Sequence, residues 1–203
     1  MSDRNANFHQ RHSIRLKGYD YSKAGLYFIT LCVQHRECLF GEIVTSTMVL
    51  NDAGKMIVKW FAELENKFPY IRCHEMVVMP NHFHCIIEIT GEYEHHHQDA
   101  HAGAPLRGRP DTNPQNESNP VPKYGPHNKK YNPMIGDVVG WFKTMTTNEY
   151  IRGVNELGWK RFDDKLWQRN YWEHIIRDDQ SYDRIAAYII QNPEKWDDDQ
   201  LNQ

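Results

Sequence analysis

Residues 77–89 read Val-Val-Met-Pro-Asn-His-Phe-His-Cys-Ile-Ile-Glu-Ile, a run that leaves the chain little choice but a buried sheet. It is rich in β-branched residues, and on either side of Pro80-Asn81 it is too short for a helix of this composition. The Pro-Asn pair is a breaker suited to a tight connection, so two strands are expected, at 71–79 and 82–90. Successive side chains of a strand point to opposite faces. His82 and His84 therefore share one face, about 6 to 7 Å apart, with Phe83 packed behind them. Two imidazoles so placed either converge on a metal ion or stand as satisfied polar residues on an open sheet face. The pair alone does not choose between these.

The remaining periodicities build an α+β domain around that sheet. Residues 25–33 read as a first strand, followed by a turn near Gly41 and a short strand at 48–50. Asn51-Asp52 offers an N-cap for a helix at 53–67, in which Met56, Ile57, Trp60, Phe61 and Leu64 recur at helical spacing and which Pro69 ends. Helical spacing returns over 133–152 through Ile135, Val138, Val139, Phe142 and Met145. Residues 166–176 alternate and are aromatic, which predicts a strand or extended loop-strand. Asp178, Asp179 and Ser181 then supply capping choices for a last helix ending at Asn192 before Pro193. This order predicts a ferredoxin-like antiparallel sheet with helices packed on one face.

The single domain spans 25–193, between a basic arm at 1–24 and an acidic tail at 194–203 that holds Asp197, Asp198 and Asp199. Residues 91–132 turn to His, Gly, Pro, Asn and Gln with almost no apolar periodicity, and read as a disordered, low-complexity insertion. Its histidines His95, His96, His97 and His101 suit adventitious metal binding better than a site. A formal charge of −3 gives no bulk argument for nucleic acid. The arm, however, concentrates Arg4, Arg11, Arg15, Lys17 and Lys23, with Tyr19, Tyr21 and Tyr27 close behind, as a surface that tracks phosphates and stacks on bases would. No run approaches the roughly 18 consecutive apolar residues of a membrane span, and no signal-peptide core is present, so a soluble, cytoplasmic protein with no membrane partner is expected. The four cysteines lack zinc-site spacing and read as reduced packing residues.

On the last helix, Tyr182, Ile185, Ala186 and Ile189 form the stripe that packs on the sheet. Tyr188 and Asn192 flank it, four residues apart and so side by side, about 5 to 6 Å between Cβ atoms. Should the sheet present His82 and His84 to this helix, two imidazoles, an amide oxygen and a nucleophilic hydroxyl would meet.

These residues resemble a known family. His-hydrophobe-His at 82–84, then Trp-Gln-Arg-Asn-Tyr-Trp-Glu-His at 167–174, then Tyr-Ile-Ile-Gln-Asn-Pro at 188–193, are similar to the HUH single-tyrosine transposases, and within them to the REP-associated tyrosine transposases. The resemblance implies an HUH endonuclease-like fold, His82, His84 and Asn192 as metal ligands, and Tyr188 as the nucleophile. Gln191 is the poorer substitute for Asn192, since its position projects about 60° further from Tyr188. The implied reaction cleaves and rejoins single-stranded, hairpin-bearing DNA through a 5′-phosphotyrosine. A divalent metal, Mg²⁺ or Mn²⁺, would assist, although imidazoles also accept Zn²⁺, Ni²⁺ or Co²⁺.

Arg169 and His174 join Arg11, Arg15 and Lys17 as candidate DNA contacts, while Trp167, Tyr171 and Trp172 divide between core and surface readings. The implied enzyme is a monomer or homodimer, with exchange of the last helix between subunits a possible arrangement, and is nucleoid-associated when bound to DNA. Two alternatives stand beside it. One is a catalytically idle hairpin-binding protein of the same fold, and the other is a metal-dependent hydrolase using the His82-x-His84 pair.

Overall fold

The computed structural model describes residues 24–91 and 134–202. The insertion beyond Gly91, and the arm with Arg11, Arg15 and Lys17, lie outside the described residues. A four-stranded antiparallel sheet is formed by β1 (Gly25–Cys32), β4 (Ile71–Val78), β5 (His82–Ile89) and β6 (Trp172–Ile176), in the order β4-β5-β1-β6. With α1 (Asp52–Lys67) and α2 (Ile135–Leu157) as crossovers, the element order is β-α-β-β-α-β. That is the expected ferredoxin-like arrangement. A hairpin of β2 (Gly41–Val44) and β3 (Thr47–Leu50) is inserted before α1, where one short strand was expected.

The Pro80-Asn81 connection is as tight as its composition demands, with the Met79 N–H donating to the His82 carbonyl at 2.9 Å. It sets the register in which Val77 stands opposite His84 and Val78 opposite Phe83. The odd-numbered side chains of β1 and β5, including Tyr27, Ile29, Leu31, Phe83, Cys85 and Ile87, enter the main core beneath α1 and α2. There Phe83 stacks on Phe142, ring centroids 5.3 Å apart, and meets Phe61 edge-on at 5.4 Å. All four cysteines are free thiols.

Helices on one face describes α1 and α2 only. The last helix, α3 (Asp179–Gln191), covers the opposite face, with Tyr182, Ile185, Ala186 and Ile189 packed on Leu26, Phe28, Val77 and Ile86. The physical reason lies in β5, which is buried on both sides. Its even-numbered face cannot be left to water and takes a helix of its own. Beyond α3 the chain continues through Pro193 as a 3-10 helix (Asn192–Asp198). Residues expected as an appended acidic tail are thus brought back against the domain.

Helix ends follow local chemistry. Asn51 caps α1, its side-chain oxygen accepting from the Gly54 N–H at 2.9 Å while its amide donates to the Leu39 carbonyl at 3.0 Å. α2 runs past Arg152, where the apolar spacing fades, to Leu157, and stops at Gly158 in the left-handed conformation (φ 71°). Asn51→Ala removes a cap and a loop tether together. It is expected to cost about 1–2 kcal/mol, read as a lower urea midpoint at unchanged slope.

Candidate active site

One row of side chains crosses the sheet under α3. Val77, His84, Thr30 and Trp172 stand opposite one another on β4, β5, β1 and β6. His84 Nδ1 lies 2.7 Å from Thr30 Oγ1, which holds the ring and leaves Nε2 facing the helix. Phe28 stacks on the same imidazole at 5.4 Å between centroids. His82, one pair further along, has its ring centroid 4.6 Å from that of His84. The two rings therefore tilt toward each other relative to the strand repeat.

A chain of hydrogen bonds assigns the tautomer of His82. Asn81 donates its amide hydrogens to the carbonyls of Arg36 (3.2 Å) and Leu201 (2.7 Å), so its side-chain oxygen is the acceptor on its other side. That oxygen lies 2.7 Å from His82 Nδ1, which must carry the proton. Nε2 is then a bare lone pair, aimed inward. A buried imidazole oriented by a hydrogen bond through its other nitrogen is how metal-ligating histidines are held.

Tyr188 and Asn192 arrive from the same chain. Tyr188 Oη lies 3.4 Å from His84 Nε2, and Phe28 meets the phenol ring edge-on at 6.1 Å. Tyr188 is 40% exposed, whereas His82, His84 and Asn192 are buried. Gln191 points away, exposed, and accepts a bond from Lys195. No exchange of helices between subunits is needed to bring the tyrosine to the histidines.

The residue that sequence reasoning missed is Asp199. Its Oδ1 accepts from the Leu201 N–H at 2.8 Å, and its Oδ2 comes within 3.6 Å of His82 Nε2, too long for a hydrogen bond. His82, His84 and Asp199 offer ligand atoms within 4.8 Å of one another. His82 Nε2, Asp199 Oδ2 and Asn192 Oδ1 are all buried without a hydrogen-bond partner. Such orphans are costly unless something binds them. Two imidazole nitrogens, an amide oxygen and a carboxylate fit a divalent cation.

The electrostatics agree with that fit. Burial pushes the pKa of His82 down to about 4, with the Asp199 charge and the Asn192 side chain pulling the other way. Burial, and then the neighbouring His82, hold His84 well below the ordinary histidine value. Both rings are neutral ligands at pH 7. Tyr188 is raised above its ordinary value by burial and by Asp199, with the Asn192 side chain opposing. It is a protonated phenol that needs help to react.

The other candidates lie apart. Arg169 is exposed on a separate cleft beside α2, where Lys143 donates to the carbonyls of Gln168 (2.6 Å) and Arg169 (3.2 Å) and burial lowers the lysine to about 8. His174 is exposed on the site face of the open edge strand, opposite Phe28. The cleft over the site measures about 850 Å³ and is bordered by Phe28, Trp172, Tyr188 and Asp199. Among the described residues, no helix is long and apolar enough to cross a membrane.

Fold and site together define an α+β protein with a metal-type centre lying directly beneath a half-exposed tyrosine. Over 197 residues, 97% of this chain and 96% of the relative, it is 41% identical to an uncharacterized protein of Haemophilus influenzae strain Rd, and it belongs to the same family as that protein. It is also 22% identical, over 87% of its length and 74% of the relative's, to a Haemophilus influenzae protein assigned as a REP-associated tyrosine transposase, so the expected resemblance is found. Among solved structures it is similar to a REP-associated tyrosine transposase bound to a REP hairpin (18% identity, TM-score 0.49, 85% of this chain and 68% of that one). A second is a protein of Deinococcus radiodurans R1 assigned as a transposase (12% identity, TM-score 0.44, 88% and 96%). No family model matches the chain.

Proposed function

We propose that the protein is a transposase-like enzyme that cleaves and rejoins single-stranded DNA, with Tyr188 as nucleophile. The observation that carries this reading is the 3.4 Å approach of Tyr188 Oη to His84 Nε2 over three buried, unpartnered ligand atoms. The likeness to REP-associated tyrosine transposases supports it and makes a hairpin beside the cleaved bond the proposed recognition element. Such an enzyme works in the cytoplasm, on the nucleoid.

His82, His84, Asn192 and Asp199 would hold a divalent ion, Mg²⁺ or Mn²⁺. When bound, it polarises the scissile phosphate and stabilises charge on the departing oxygen. The chain's own residues do the rest. Asn81 keeps the His82 imidazole in the tautomer that points a lone pair inward, and Thr30 holds the His84 ring with Nε2 toward the helix. Phe28 walls the phenol and His84 into one line of approach. Tyr188 Oη attacks phosphorus, the bond to the 3′ oxygen breaks, and a 5′-phosphotyrosine and a 3′-OH result. The phenol proton leaves through the solvent-open side of Tyr188, and the 3′ oxygen takes one up. Because one phosphodiester replaces another, a 3′-OH can reverse the step and join strands without a nucleotide cofactor.

Incubation of the protein with end-labelled, hairpin-bearing single-stranded DNA and Mn²⁺ should yield a covalent adduct that survives a denaturing gel. Absence of an adduct on every such substrate would overturn the assignment. Asp199→Asn keeps the shape and one oxygen but removes the charge opposite His82. The variant is expected to bind Mn²⁺ about tenfold more weakly by calorimetry, a difference of about 1.4 kcal/mol. Unchanged affinity would take Asp199 out of the ligand set.

A further inference from the structure

Trp172 is the one exposed tryptophan among the described residues, at 56%, and it belongs to neither core cluster. It opens β6, the edge strand, and stands opposite Thr30 on the face that carries His84. Two strand spacings separate its backbone from that of His84, about 10 Å. An indole left in water on this face is a large apolar surface with nothing among the described residues to cover it.

On its C-terminal side the cleft carries both signs of charge, Asp198 and Asp199 standing with Lys195 and Arg36, while its β6 side is lined by the uncharged Gln168, Asn170, Tyr171 and Trp172. Trp172 thus lines the same cleft as Phe28, His84 and Tyr188, and a single strand lying in that cleft with a phosphate at Tyr188 meets the indole. His174, two residues further along β6 on the same face, is exposed as well.

We infer that Trp172 is a stacking platform for a nucleobase of the single strand next to the bond that Tyr188 attacks, with the side-chain amide of Asn170 and the amide oxygen of Gln168, whose Nε2 donates to the Val33 carbonyl, beside it to meet the base edge. This rests on the phosphoryl-transfer reading above. Base-on-aromatic stacking tolerates any base, because every base has a π face, whereas amides donate and accept selectively. The platform would thus supply hold on the strand, and the amides a preference at one position.

The test is an abasic scan. A fluorescent single-stranded oligonucleotide carrying one abasic nucleotide, moved stepwise along the strand around the cleavage point, is titrated by anisotropy with the wild-type chain, Trp172→Ala and Trp172→Phe. The wild type should bind about 5- to 150-fold more weakly when the abasic nucleotide falls at one position, the range that stacking supplies. Trp172→Ala should show that loss on the intact strand and no further loss from the abasic nucleotide at that position, while Trp172→Phe keeps most of the discrimination. Trp172→Ala and wild type giving the same abasic profile would overturn the platform. So would an equal loss at every position. The wild-type covalent adduct reports separately on the parent reading: with adduct present and profiles alike, only the platform falls, and with neither adduct nor strand binding both fall.

Discussion

Tyr188→Phe should abolish the covalent protein–DNA adduct, leaving no band above background on a denaturing gel. The substitution deletes one oxygen. The ring stays, with its edge-on contact to Phe28 and its packing against His84, whose ring centroids lie 6.1 and 5.3 Å away. Folding and metal binding should therefore be close to those of the parent chain. What disappears is the atom proposed to form the new bond to phosphorus. Tyr182, the other tyrosine of α3, is engaged away from the site, donating to Glu75 Oε2 at 2.6 Å. Its pKa is pushed up to about 12 by burial and by Glu75. An undiminished adduct in Tyr188→Phe would move the nucleophile elsewhere and end the proposed mechanism. Loss of the adduct with DNA binding retained is the expected pattern of a removed nucleophile.

His84→Ala is expected to cost at least as much in a different measurement. The ring is a proposed ligand, the partner of Thr30, and the surface against which Phe28 and Tyr188 are set. Its removal should weaken Mn²⁺ binding by more than the 10- to 100-fold typical of losing a supporting contact around a metal site. Adduct formation at fixed metal should fall on the order of 10²-fold or more, comparable to losing one group that stabilises developing charge. Calorimetric titration with Mn²⁺ separates this from a folding defect, as does the thermal midpoint of the metal-free protein. Unaltered metal affinity would show that the two histidines are the satisfied polar pair their spacing alone allowed.

Much of the site is legible along the chain because its parts are local. His82 and His84 share a face by strand geometry, and Tyr188 and Asn192 share an edge by helical geometry. Gln191, judged the poorer neighbour on angle alone, does point outward. The α1 cap at Asn51 was readable for the same reason, its partner being three residues away. By contrast, α2 continues to Leu157 because Gly158 stops it, a signal beyond the last apolar residue of the stripe. The hydrogen bonds that orient the histidines were not readable at all. Thr30 meets His84 only through the β1–β5 register, and Asn81 is held by a carbonyl 120 residues away. Asp199 looked like one of three acidic residues in a tail. It reaches His82 because the 3-10 helix after α3 turns the chain back and Arg36 donates to the Gln200 carbonyl at 2.7 Å.

By itself, then, the sequence determined the elements, the ferredoxin-like order, and the two residue pairs of the candidate site, since each depends on repeats of two or 3.6 residues within one segment. Only the tertiary structure decided that α3 covers the face opposite α1 and α2, that the two pairs meet within one chain, and that the Asp199 carboxylate lies beside His82. Those outcomes rest on strand register and on burying the second apolar face of β5. Both are settled between segments far apart in the chain, where no local periodicity reaches.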